Sequence, residues 1–175
     1  LTPGTGTDVL SLLMLGMTYS VTIALLAAIL TVALGTAMGI IAGTSGGWID
    51  AIIGRIIDMT LSFPQTLMLL SLSSTLTVTL EQTGVPKGNF ARGTYLILVL
   101  AVFGWPSFAR IVRGQVLSLR EREFVEAAHV FGASRWRIYF KEMLPNLWAP
   151  ILVYFTLTMP AYVSAEAALS FLGVG

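Results

Sequence analysis

The chain has 175 residues, 55% of them hydrophobic and 11% charged, with a mean hydropathy of +0.83. Soluble domains carry about 25% charged residues, and a chain this short cannot hide so much apolar surface in one aqueous core, so most of it is expected to face lipid. A net charge of +1 argues against a nucleic-acid binder, and the absence of cysteine excludes a disulfide scaffold or a thiolate metal site.

Crossing a bilayer takes about 20 largely apolar residues. Residues 10–43 are apolar throughout and form the first expected span. Its small residues Gly16, Ser20, Ala24, Ala28, Thr31, Gly35, Gly39 and Gly43 recur at helical spacing, a stripe that lets helix backbones approach closely in lipid. Thr44 to Gly47 is a turn signal. Residues 48–80 form a second, less pure span with a kink site at Phe63–Pro64. On it Asp50 and Asp58 share one face with Gly54 and Ser62, and Arg55 stands beside them. Ionisable groups inside a membrane are costly and face a partner or a watery path. Arg55 and Asp58, three apart, could simply pair; the alternative is that Asp50, Arg55 and Asp58 line a pathway.

A polar loop follows, and residues 94–113 form the third span. Residues 114–146 are a charged loop, and residues 147–169 form the fourth span, interrupted by Pro150 and Pro160 and carrying Glu166 near its far end. Glu166 poses the same choice between helix interface and pathway. Seven of the ten basic residues lie at the end of span three or in the loop after it: Arg110, Arg113, Arg120, Arg122, Arg135, Arg137 and Lys141. Short cytoplasmic loops are enriched in Lys and Arg, so this loop is expected inside, and the loop bearing Lys87 and Arg92 outside. The fold class is therefore an all-α, polytopic transmembrane helical bundle with four spans in a single domain. Both ends of the chain read as cut, as in part of a longer membrane protein.

Enzyme chemistry finds little to work with. His129 is the single histidine, so no multi-histidine metal site can be assembled. Ser134 lies close to it but suits a helix N-cap better than a nucleophile. No Gly-x-x-x-x-Gly-Lys phosphate loop is present, so the chain does not bind ATP by that route.

The charged loop is patterned. Residues 123–131 read as a short helix with Phe124, Ala127, Ala128 and Phe131 on an apolar face, and Gly132 suits the position after a helix end. Ser134 caps a second helix over 135–143, and Pro145 is expected to stop it. A helix this short is unstable alone. Its acidic rim and glycine turn suit insertion into a groove on another protein, and equally a hairpin on the membrane surface.

Glu126-Ala127-Ala128, three residues, Gly132, then nine residues to Glu142, Met143 and Leu144-Pro145 resemble the EAA motif of ATP-binding-cassette (ABC) importer permeases. The family's pattern has Ile where Glu142 stands. A wider resemblance, to the oligopeptide, dipeptide and nickel permease subfamily, runs through residues 46–50, Phe63-Pro64, and residues 110–123, 142–146 and 165–173. It favours the C-type of that subfamily's two permease subunits. Near the start the subfamily usually reads Gly-Arg-Asp-Val-Leu-Ser-Arg, whereas residues 6–12 lack both arginines.

The resemblance implies the type I ABC-importer permease fold, with four of six spans present here. It implies a transport subunit, not an enzyme, in a bacterial or archaeal plasma (inner) membrane. The chain itself would hold no cofactor; ATP and Mg would sit in partner ATPase subunits. The implied partners are a second homologous permease, two ABC ATPases, an extracytoplasmic substrate-binding protein and membrane lipid, with no nucleic acid. Phe124, Glu126, Ala127, Ala128, Phe131, Gly132, Leu144 and Pro145 would form the ATPase-coupling site, and peptides are the expected substrate. The rival from another class is an ion-coupled secondary transporter or channel built on Arg55, Asp58 and Glu166.

Overall fold

The computed structural model describes residues 9–84, 86 and 88–172. Lys87, residues 6–8 and Gly173, which bear on orientation and on the motif at either end, lie outside the described residues. Every regular element among the described residues is helical: α1 (Val9–Ser45), α2 (Gly47–Leu61), α3 (Gln65–Gln82), α4 (Asn89–Arg120), α5 (Glu123–Val130), α6 (Arg135–Arg137) and α7 (Trp148–Phe171). A π-turn (Ile138–Met143) and a 3-10 turn (Leu144–Leu147) join α6 to α7. Among the described residues three stretches are long and apolar enough to cross a membrane: Val9–Ser45, Asn89–Arg120 and Arg135–Phe171.

The expected second span at 48–80 is two helices. Pro64 has no N–H to donate to the carbonyl four residues back, and its ring crowds that carbonyl. The chain therefore leaves α2 with tight bonds, Ser62 N to Met59 O at 3.2 Å and Phe63 N to Thr60 O at 3.3 Å, and restarts α3 from an extended Pro64. By length and composition neither piece qualifies as a span by itself. Pro145 corrects the opposite way. It does not stop the helix, because winding switches from wide to tight at Leu144, where the missing N–H and the ring are tolerated.

α1 and α4 form the centre. Along the small-residue stripe Ala24, Ala28, Thr31, Gly35, Gly39 and Gly43 are buried, while Gly16 has open space around it. A Cβ added to Gly35 would meet Phe108, one on Gly39 would lie 2.6 Å from Val112 Cβ, and one on Gly43 would lie 2.7 Å from Val116. The contacts advance together along both chains, so the two helices run parallel with their backbones nearly touching. Hydrogen cannot be replaced by methyl at these positions without moving α4.

α7 crosses this pair in the opposite direction. Phe108 stacks on Tyr154 with ring centroids 4.3 Å apart, and eight residues further along α7 the Tyr162 hydroxyl donates to the Leu100 carbonyl at 3.1 Å. The same hydroxyl lies 2.9 Å from Thr31 Oγ1, against Gly104. Buried hydroxyls need such partners, and this one joins α1, α4 and α7 at one point. Apolar residues fill the bundle on either side of it, around Ile23, Tyr95, Leu96 and Leu169 at one end and around Phe108, Val112, Val116 and Met143 at the other. Leu12, Leu13, Met14, Leu15 and Met17 are all exposed, a surface made for lipid rather than water.

Candidate functional site

α5 follows α4 after two residues, Glu121 and Arg122, and the Arg122 carbonyl accepts from Val125 and Glu126 to open its first turn. Eight residues alone would not hold a helix; Val125 does it. It is completely buried, within the cluster of Val112, Val116, Ile138 and Met143. Of the apolar face read from the sequence, Phe124, Ala127 and Phe131 are exposed and Ala128 is half-buried. Val125, with Ala128 packed against the same cluster, anchors α5 and leaves Phe124, Ala127 and Phe131 facing outward.

The helix ends in a Schellman motif. Ala133 N donates to Ala128 O and Gly132 N to His129 O, both at 3.0 Å, with Gly132 at φ +73°. That left-handed conformation favours glycine, which explains the residue. Phe131, just before it, is 88% exposed, an apolar ring with no cover. Ser134 then caps α6, its Oγ accepting from Arg137 N at 3.4 Å. Phe124, Ala127, Ala128, Phe131, Arg137 and Glu142 line an open cavity of about 570 Å³ beside the motif. Glu142 stands half-exposed at its edge while Met143 is buried, so the departure from Ile leaves a carboxylate on the cavity wall and none in the core. Leu144 packs against the buried cluster and Pro145 is exposed. Glu126 is exposed on the outward side.

The charged residues of the second expected span find partners that local spacing does not reveal. Asp50 is held by two bonds from Arg113 of α4, Nε to Oδ1 at 2.5 Å and Nη2 to Oδ2 at 2.6 Å. Asp58 pairs with Arg110, one turn earlier on α4, at 2.5 Å. Exposure separates the two pairs in weight. The Arg110 and Asp58 side chains are 58% and 63% exposed, which puts their pair in the range of about 0–1 kcal/mol. Those of Arg113 and Asp50 are 35% and 20% exposed, and a bidentate pair only partly withdrawn from water is worth on the order of 1 kcal/mol. Arg55 is exposed and belongs to neither pair, so the simple Arg55–Asp58 bridge does not form.

Glu166 is 3% exposed and accepts from Ser170 Oγ, one turn on, at 2.8 Å. Arg55, Asp58 and Glu166 are not brought together: Asp58 is bonded to α4, Arg55 is exposed, and Glu166 is buried in α7 next to Ala165, which packs at the opposite end of the bundle. Two features escape sequence reasoning, the Arg113–Asp50 clamp and the Thr31–Tyr162 junction. The first left a trace, two arginines three apart closing the third span opposite two acids on one face of the second. Among the described residues no group of three His, Cys, Asp or Glu could hold a metal ion.

Residues 35–175 match the family of binding-protein-dependent transport system inner membrane components. The chain belongs to that family. It is therefore a multi-pass membrane protein of the permease class, and the helical fold above is a permease fold. Among its relatives, the oligopeptide transport system permease protein OppC of Bacillus subtilis is 41% identical over 130 residues, covering 74% of this chain and 38% of the relative. The dipeptide transport system permease protein DppC of the same organism is 39% identical over 170 residues, covering 97% and 49%. The glutathione transport system permease protein GsiD of Pectobacterium atrosepticum is 31% identical over 170 residues, covering 97% and 52%. The chain spans about half the length of the curated relatives it matches, or less.

Proposed function

We propose that this permease segment belongs to an ATP-driven importer of dipeptides and oligopeptides, and that α5 is the helix through which ATPase motion enters the membrane domain. A second homologous permease, two ABC ATPases that hold ATP and Mg, and an extracytoplasmic binding protein complete the machine. The observation that carries this reading is the form of α5: pinned from within by Val125, closed by Gly132, and presenting Phe124, Ala127 and Phe131 outward. A hairpin that faced only water would gain nothing from an 88% exposed phenylalanine beside a cavity; a docking helix uses it as an anchor. Ala127 permits close approach, and Glu126 meets a basic group on the ATPase.

The chain performs no covalent chemistry in this scheme. Closure of the ATPase dimer displaces α5 together with α4, and the bundle exchanges between inward- and outward-facing states whose populations nucleotide shifts. The names of the relatives, which include oligopeptide and dipeptide permeases, support peptides as the substrate class. The test is reconstitution of the full-length permease with its partners in proteoliposomes. Glu126→Arg and Gly132→Leu are expected to keep ATP hydrolysis and abolish ATP-dependent peptide uptake. Normal coupled uptake in both variants would contradict the role of α5.

A further inference from the structure

α2 is a 15-residue helix with a discontinuity at each end. Before it, Gly46 separates it from α1, and Gly46 and the first residue of α2, Gly47, both take positive φ, +62° and +57°. After it comes the break at Phe63–Pro64. Its apolar footing is Ile53 and Ile57 against Ala42 and Ala109, with Ile49, Met38 and Trp105 half-buried around them. What fixes it in register on α4 is the bidentate contact of Asp50 with Arg113, reinforced by Asp58 with Arg110.

Beyond the break, α3 is attached to a different part of the same helix, where the Tyr95 hydroxyl donates to the Leu69 carbonyl. Pro106 lies between these two attachments and removes one bond from the α4 ladder. α4 thus has an outer part that holds α3 and an inner part that holds α2, and both helical paths are weakened at the boundary. From Arg113 the inner part runs unbroken to Arg120, about 10 Å at 1.5 Å per residue, and α5 begins three residues later.

We propose that Asp50 and Arg113 are positioning residues that force α2 to travel with the inner part of α4 when α5 is displaced, while α3 stays behind. α2 is then the moving wall on the cytoplasmic side, hinged at Phe63–Pro64. The assignment rests on α5 as the ATPase contact, and it explains why a fixed ion pair is kept at the edge of a membrane where packing alone would be cheaper. A pair serving only stability would tolerate loss with equal effect on every readout. A transmitting pair would not.

The experiment uses the full-length permease assembled with its partner permease, ATPases and binding protein. Uptake and ATP hydrolysis are measured for Asp50→Asn, Arg113→Gln and the exchange Asp50→Arg with Arg113→Asp. Each single variant is expected to lower uptake per ATP hydrolysed by about tenfold, the weight of one charge-assisted contact, with hydrolysis itself within about twofold of wild type because the ATPase contact is untouched. The exchange is expected to restore the ratio. In parallel, spin labels at the exposed positions Ile52 and Ile111 are expected to keep one separation with and without nucleotide, and labels at Ile52 and Leu67 to change theirs; Asp50→Asn should make the first pair vary. An unchanged uptake-to-hydrolysis ratio in the single variants, a proportional fall of both activities, or an exchange that restores nothing would overturn the proposal. Glu126→Arg run alongside separates the two ideas, since coupled uptake in that variant removes the docking role of α5 while the spin-label distances still judge the clamp.

Discussion

At Gly39 the distance between two backbones is decided by one missing methyl group. A Cβ there would sit 2.6 Å from Val112 and 2.8 Å from the Ala109 carbonyl, neither of which can retreat without tilting α4. Gly39→Leu is therefore expected to destabilise the bundle by about 2 kcal/mol or more, the scale of overpacking, and to lower the melting temperature of the purified protein in detergent. Gly16→Leu, at a position with nothing nearby, should leave that temperature unchanged. Tyr162→Phe removes the hydroxyl shared by Thr31 and the Leu100 carbonyl, and is expected to cost about 1 kcal/mol in the same assay. Most of the stripe containing Gly39 was legible in the sequence, because in lipid close backbone approach replaces hydrophobic burial as the packing signal. The partners of Asp50 and Asp58 were not legible. Spacing within one helix shows Arg55 beside Asp58, but the register of α2 on α4 decides which arginine is reached, and no local pattern encodes that register.

At the scale of elements, two prolines at similar-looking positions act differently. Pro64 breaks the second expected span, whereas Pro145 is absorbed by a change from π to 3-10 winding. A sequence shows that a proline cannot continue an ordinary helix; whether the chain breaks, kinks or rewinds depends on what the neighbouring helices hold in place. Pro64→Ala restores a donor for the Thr60 carbonyl and is expected to join α2 to α3, seen as slowed hydrogen exchange of the amides at 62–65. Amides that exchange as fast as in the unaltered protein would show that something other than the proline makes the break. The existence of α5 and its terminating glycine were legible because the Schellman geometry has a residue signature. Its inward side was not. Val125, flanked by the more conspicuous Phe124 and by Glu126, carries the burial, and Phe124 and Phe131 are exposed.

Across the whole molecule, a chain poor in charge concentrates eleven of its nineteen charged residues between Arg110 and Glu142, where α4 leaves the apolar bundle and α5 projects from it. The apolar helices, the parallel α1–α4 core and the projecting α5 together describe a membrane body with a handle. Docking of that handle on an ATPase is the central claim, and one measurement tests it most directly. Benzoylphenylalanine placed at position 131 of the full-length permease in its assembled transporter, irradiated in membranes, is expected to form a covalent adduct with the ATPase subunit, while the same group at Phe171, equally exposed at the far end of α7, forms none. An ATPase adduct from position 171, or none from position 131, would contradict it.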